Sequence, residues 1–311
     1  MLLYFSVRHV DWSRVWHTIR AAQWRFLGLA FATTCASFFF RALRWRILLN
    51  TETWFSVGTV FWANMAGYLG NNFLPARAGE LIRTYLISSR SSLSKTYVLT
   101  TALAERLMDV IALVLWSSIV LLGVNPKPAW MQDLSRTMAV IAGLGAVMIL
   151  LLPHTGSLVQ NVLRRIPMPE GLRNRLLELA EQILLGLRAF HNWGRLAGFV
   201  FLTVVIWVLD ACGVIAGAWA LGLIIPFRVA MLLLTALGLG SALPSTPGYV
   251  GIYQFVSVKV LSPFGIAPDD ALAYILVAQA LGSVIMLMFG LPGLYRLQGK
   301  KVATVETPEL S

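Results

Sequence analysis

Leu69-Gly-Asn-Asn-Phe-Leu-Pro-Ala-Arg-Ala-Gly-Glu80 interrupts an apolar stretch with a proline, two glycines and two charged residues. The pattern Leu74-Pro75-x-x-x-Gly79 returns 169 residues later as Leu243-Pro244-x-x-x-Gly248. Each copy lies between two apolar arms. An arm of about 15 residues reaches roughly 22 Å as a helix, short of a ~30 Å hydrocarbon core. A Pro/Gly break at bilayer depth frees backbone N–H and C=O groups. These are tolerated only where protein or a water-filled cavity covers them. Two such breaks in corresponding halves point to a transporter-type site at the interface between repeats.

The surrounding composition sets the class. The chain has 311 residues, 58% hydrophobic and 13% charged, with a mean hydropathy of +0.73. That excludes an ordinary soluble domain and points to an all-α, polytopic transmembrane bundle. The net charge of +11 does not imply nucleic acid, because the basic residues sit in short loops and at span ends. They suit a cytoplasmic face beside anionic lipid. Cys35 and Cys212 both fall in apolar spans. No Cys/His ligand spacing is present, so neither a metal nor a cofactor is expected. The opening Met1-Leu-Leu-Tyr-Phe-Ser-Val7 is too short to span. It reads as the tail of a longer helix or as an interfacial segment.

Hydropathy predicts spans over 24–48, 97–124, 137–153, 196–222 and 270–295, with broken re-entrant hairpins over 54–90 and 229–262. Repeat one is 24–124, the connector 125–195 and repeat two 196–298, forming one transmembrane domain over 1–298 with a cytoplasmic tail over 299–311. Arg164, Arg165, Arg173, Arg175, Arg188 and Arg195 place the connector in the cytoplasm. Tracing both ways from it gives the halves opposite topology, the inverted-repeat pattern of alternating-access carriers. The stretch with Arg8, Arg14, Arg20 and Arg25 falls outside on this trace, against the charge rule. Within the connector, Leu172, Leu176, Leu179, Ile183, Leu187 and Phe190 form one stripe of an amphipathic helix over 170–190. It reads as a linker packed on the cytoplasmic ends of the bundle or as a sensor of anionic lipid.

Ionisable residues inside spans are costly, so each is a functional candidate. Arg77, Glu80 and Arg83 lie at the first break and on the arm after it. Glu80 and Arg83 are three apart on a helix and can pair. One reading is a self-neutralised pair that holds the hairpin closed. The other is that Arg77 or Arg83 meets an anionic head group, for which the guanidinium fork is suited. Glu105 and Asp109 share a helix face beside Arg106. They read as structural partners of Arg83 or Arg77, as a coupling-ion or head-group site, or as an acid and base. Arg41, Arg44 and Arg46 close the first span and read as side chains snorkelling to the interface, or as a phosphate contact. Asp210 stands mid-span and needs a partner, for which topology offers Arg228 and Lys259. Asn64, Asn71, Asn72, Gln254 and Gln279 either line a cavity or bond between helices. At the second break, Pro247 and Gly248 are expected to open the second arm, with Ser245 or Thr246 as its cap.

Asn71-Asn-Phe-Leu-Pro-Ala-Arg-Ala-Gly-Glu-Leu-Ile-Arg-Thr-Tyr85, Glu105-Arg-Leu-Met-Asp109 and Leu243-Pro-Ser-Thr-Pro-Gly-Tyr-Val-Gly251 resemble three signature stretches of the lysylphosphatidylglycerol synthase transmembrane region, a flippase-like integral membrane family. Arg41-Ala-Leu-Arg-Trp-Arg46 resembles its first-loop pattern. The resemblance spans about residues 20–298. It implies a module that moves phospholipids or polyprenyl-linked intermediates between leaflets of a bacterial-type inner membrane, with no nucleic-acid partner. In some relatives the module is fused to a soluble aminoacyl-transferase domain. No such domain is read here, so synthase activity does not carry over and no catalytic residue is expected. Arg77, Glu80, Arg83, Glu105, Arg106, Asp109, Asn71 and Asn72 are the expected substrate contacts. Pro75, Gly79, Pro244, Pro247 and Gly248 are the expected breaks. The rival readings are a membrane enzyme or accessory subunit acting on lipid-linked sugars, and a non-transporting scaffold.

Overall fold

The computed structural model describes residues 10–74, 78–122, 169–187, 192–242 and 246–298, together with helical positions at 137, 140, 143 and 144. Pro75, Arg77 and Pro244, most of the expected span over 137–153 and the tail over 299–311 lie outside the described residues. The regular secondary structure of the described residues is all helical, without a strand.

A short helix, α1 (Trp12–Arg20), precedes α2 (Trp24–Leu49), α3 (Val57–Phe73), α4 (Gly79–Ser88) and α5 (Lys95–Leu122). After the connector helix α6 (Glu170–Leu187) come α7 (Trp193–Ala220), α8 (Phe227–Ala242), α9 (Ile252–Leu261) and α10 (Pro268–Gln298). By length and apolar composition α2, α7 and α10 can cross a membrane. α5 is as long but carries Lys95, Glu105, Arg106 and Asp109.

Local chemistry explains the borders. Ser56 caps α3 by accepting from the Thr59 N–H, the usual N-cap role of a serine. α3 stops at Phe73, and Leu74 takes an extended backbone with φ −103° and ψ 149°. The ring of Pro75 imposes that conformation on the residue before it. α10 opens on Pro268 followed by Asp269 and Asp270. Proline at N1 and carboxylates in the first turn both suit a helix start.

The second arm differs from expectation. Pro247–Tyr249 form a 3-10 turn, and α9 starts only at Ile252 with Gly251 as its N-cap. Thr246 does not cap α9, because its hydroxyl donates to the Val250 carbonyl. Gly248 and Gly251 hold φ +67° and +91°. Only glycine enters that region without steric cost, so the chain turns there before the helix can begin.

Pairings in the first half recur in the second. α3 packs on α4 as α8 packs on α9, α2 on α3 as α7 on α8, and α4 on α5 as α9 on α10. Across the halves, α3 packs on α10 as α8 packs on α5, and α2 packs on α7. α2 and α7 run antiparallel. Thr34 lies against Gly213, Arg41 meets Asp210, Arg44 meets Thr203 and Ile47 lies against Gly198.

The first hairpin closes through a backbone approach that leaves no room for a side chain. A Cβ on Gly79 would stand 1.8 Å from the Gly67 carbonyl oxygen and 2.6 Å from the Asn71 nitrogen. The core beneath this half includes Trp45, Leu48, Ile87, Tyr97 and Phe199. Beyond it, α6 packs on α5, and Ser94 donates to Gln182 at 2.6 Å.

Candidate functional site

Four helices carry charges into one buried cluster: Arg41 and Arg44 from α2, Glu80 and Arg83 from α4, Glu105, Arg106 and Asp109 from α5, and Asp210 from α7. Six of these close into a ring of alternating sign. Arg44 lies 2.6 Å from Asp109 and 2.9 Å from Glu105. Arg83 lies 2.8 Å from Glu105 and 2.6 Å from Glu80. Arg106 lies 3.0 Å from Glu80 and 3.6 Å from Asp109, which completes the circuit. Arg41 joins it from outside, 2.5 Å from Asp210 and 3.8 Å from Asp109. Among the described residues four guanidinium groups thus face four carboxylates, and their charges cancel.

Neutrality is what makes the burial tolerable. The side chains of Arg44 and Glu105 are 0% exposed, and a single unpaired charge there would be severely penalised. Neutral groups complete the shell. Arg83 donates to Asn64 Oδ1 at 3.0 Å and to the Ala102 carbonyl at 3.3 Å. Asn71 donates to Glu80 at 3.3 Å, and Arg44 donates to Thr203 at 3.2 Å. Each guanidinium also lies over an aromatic ring, Arg83 over Trp45, Arg44 over Phe199, Arg41 over Trp207 and Arg106 over Tyr68. The ring faces favour the cations where water is excluded. Arg106, with 27% of its side chain exposed, is the most accessible ring member. Beside it the Tyr68 hydroxyl and Asn71 Oδ1 are buried with no hydrogen-bond partner among the described residues.

Two expectations are corrected here. Arg41 and Arg44 do not snorkel; three residues apart on α2, they point into the bundle and hold the ring to α7. Only Arg46 behaves as a span-end residue, donating to the Phe55 carbonyl at 2.7 Å and lying over Trp54. Asp210 is partnered by Arg41 rather than Arg228 or Lys259, because α7 crosses α2 antiparallel at that level. A sequence signal for this pair existed. Arg41 and Asp210 are 169 residues apart, the interval that relates the two Leu-Pro-x-x-x-Gly stretches.

The second break is held by neutral amides. The Gly251 N–H donates to Gln254 Oε1 at 2.7 Å, Gln254 donates to Gln279 Oε1 at 2.6 Å, and Gln279 donates to the Gly248 carbonyl at 2.7 Å. This relay pairs two backbone groups that the break frees. Asn72, at the end of α3, donates to Ser283 of α10 at 3.1 Å. The α3 tip packs on the Pro247–Tyr249 turn, with the Asn72 carbonyl close to Gly248. A cavity of about 400 Å³ lies there, lined by Trp12, Asn72, Phe73, Gly248, Gln254, Gln279 and Ser283 among others. Ser283 escapes sequence reading because a lone serine in a long apolar helix has no distinguishing pattern. Among the described residues no His, Cys or carboxylate group is arranged to hold a metal.

The family model described as the lysylphosphatidylglycerol synthase transmembrane region matches residues 1–290. A protein of Haloferax volcanii named glycosyltransferase AglD is 23% identical over 337 residues, covering 96% of this chain and 53% of that protein. The chain therefore spans about half the length of the curated relative it matches. No solved structure matches.

Proposed function

The chain belongs to the lysylphosphatidylglycerol synthase transmembrane-region family, and on that premise we propose that it carries lipids or lipid-linked intermediates between the two leaflets of a membrane. The observation that carries the reading is the meeting of the two broken segments over a cavity with polar groups in its wall. Carriers of this kind place their sites where discontinuous helices of two repeats converge.

In this reading α2–α5 and α7–α10 are inverted repeats, and α3/α4 and α8/α9 are re-entrant hairpins opening to opposite sides of an inner membrane. The antiparallel pairing of α2 with α7 supports the inversion. So does the meeting of Arg41 with Asp210, positions that the 169-residue interval makes equivalent. Equivalent residues touch each other only near a two-fold axis.

The ion ring then has a mechanical use. A lipid phosphate that reaches Arg106 displaces Glu80 or Asp109 from it, and the freed carboxylate is left beside Arg83 or Arg44. The displaced carboxylate keeps a second arginine, so no side chain loses its counter-charge, and the one added negative charge enters at the ring's most exposed member while acyl tails stay in lipid. Glu80, in the first turn of α4, couples this exchange to the break.

The test is a flip assay on purified protein in liposomes carrying fluorescent phosphatidylglycerol, phosphatidylethanolamine or a short-chain polyprenyl phosphate. Acceleration over protein-free vesicles is expected for at least one head group, and its loss in Arg106→Gln. Protein-free rates for every probe would overturn the reading. A second reading, an accessory module of membrane glycosyl transfer, is favoured by the name of the relative that aligns along nearly the whole chain. It predicts no flipping but a fall in labelled sugar incorporated into lipid when the chain is deleted.

A further inference from the structure

We propose that the cavity at the second break binds an uncharged, hydroxyl-rich lipid head group, such as a glycosyl group. The proposal deepens the lipid-carrier reading and rests on it for the ligand being a lipid.

The chemistry of the wall selects the class. Among the described lining residues, Asn72, Gln254, Gln279 and Ser283, with the Trp12 indole N–H at the rim, can hydrogen-bond into the cavity, and none is ionisable. A phosphate or ammonium drawn into such a site gains no counter-charge for the hydration it loses. A hydroxyl is both donor and acceptor, and amides answer both needs. Each glutamine of the relay uses one N–H and one lone pair of its carbonyl oxygen. An amide carries two of each, so each glutamine keeps a second donor and a second acceptor site. Asn72 spends an N–H on Ser283 and keeps its carbonyl oxygen. A head group with several hydroxyls matches this set.

Shape and apolar surface agree. About 400 Å³ lies at the lower end of the ~300–1,000 Å³ typical of small-molecule sites. Phe73, Leu272 and Leu276 supply apolar wall. Trp12 reaches the rim from α1, which is tethered there by Arg14 to Asp270 at 2.9 Å and by the Asp11 N–H to Asp269 at 3.2 Å. An indole at the rim of an amide-lined pocket offers a flat face to a sugar ring. The ion ring lies elsewhere: none of its six members lines this cavity. Charge recognition and hydroxyl recognition are thus separated between the two breaks.

The test uses the full chain in phosphatidylcholine nanodiscs free of sugar-headed detergent. Retention of dioleoyl glucosyl-diacylglycerol and of dioleoyl phosphatidylserine is read by native mass spectrometry. The glucolipid should be retained at least tenfold over phosphatidylserine. The double variant Asn72→Leu, Ser283→Ala should lose roughly three- to tenfold of that preference, as expected for removing one or two neutral hydrogen bonds. Trp12→Ala, at a side chain that is itself largely exposed, provides a second variant with the same expected direction should the first fail to fold. Equal retention of the two lipids by the unmodified protein would overturn the proposal, as would an unchanged preference in a folded variant. Competition by free glucose at the glucolipid's own concentration would overturn the assignment to a lipid. The two levels separate cleanly. Selective glucolipid retention without flipping defeats the carrier reading and leaves the site standing. Flipping without selective retention defeats the site alone.

Discussion

Replacing Glu105 by glutamine isolates the charge of the ring's most buried carboxylate, because the two side chains have nearly the same shape. Glu105 accepts from Arg44 at 2.9 Å and from Arg83 at 2.8 Å. Among the described residues of the native cluster four guanidinium groups meet four carboxylates; in the variant four meet three. The glutamine oxygen can still accept from one arginine, but its NH2 then confronts the other, donor against donor. Breaking one partner out of a buried ion pair costs about 3–5 kcal/mol. At about 2–4 °C per kcal/mol for chains of comparable size, the expected fall in melting temperature is roughly 10 °C. Tryptophan fluorescence during a thermal ramp in nanodiscs measures it, with 11 tryptophans as reporters. The double variant Glu105→Gln, Arg44→Gln restores three against three. It should melt above the sum of the single variants by a coupling of about 0.5–3 kcal/mol. A single variant within ~0.5 kcal/mol of the parent, or a strictly additive double, would refute the idea that the cluster is held by mutual neutralisation.

Glu80→Gln should lose less stability than Glu105→Gln, since Glu80 sits beside the accessible Arg106, but it should lose flipping; a normal flip rate at normal stability would exclude it from transport. Gly79→Ala should yield no monodisperse protein, because the added methyl would fall 1.8 Å from the Gly67 oxygen. Gly28→Ala meets nothing within 4 Å and should be neutral or stabilising by up to ~1 kcal/mol in the same size-exclusion and melting assays. Asp210→Asn leaves Arg41 with Asp109 alone at 3.8 Å. Its melting loss should be largely recovered by adding Arg41→Gln, and a deeper loss in the double would contradict the pairing. Single cysteines at Thr53 and Pro263 should label from opposite sides of the membrane, and labelling from one side would remove the inverted-repeat reading.

The sequence alone determined the features that depend on a few neighbouring residues. Hydropathy over a span-length window located α2, α7 and α10 to within a few residues, because crossing a membrane requires a long, mostly apolar run, and it located α5 as well, although four charged residues interrupt that helix. Proline and glycine marked both breaks, because their backbone limits act locally. The same locality explains where reading stopped. Nothing in one stretch tells that Arg44 is fully buried rather than extended to an interface; that depends on Glu105 and Asp109, more than sixty residues away. The Glu80–Arg83 pair was legible at helical spacing and Glu105 was one candidate partner for Arg83, yet the choice among its readings and the Arg106–Glu80 contact came only from packing α4 on α5. At the second break the composition foretold a turn but not its length. Positive φ at Gly248 and Gly251 and the Gln254–Gln279 relay set that length through contacts with α10. Tertiary structure decided which charges cancel, because neutrality is a property of the assembled cluster and no single helix carries it.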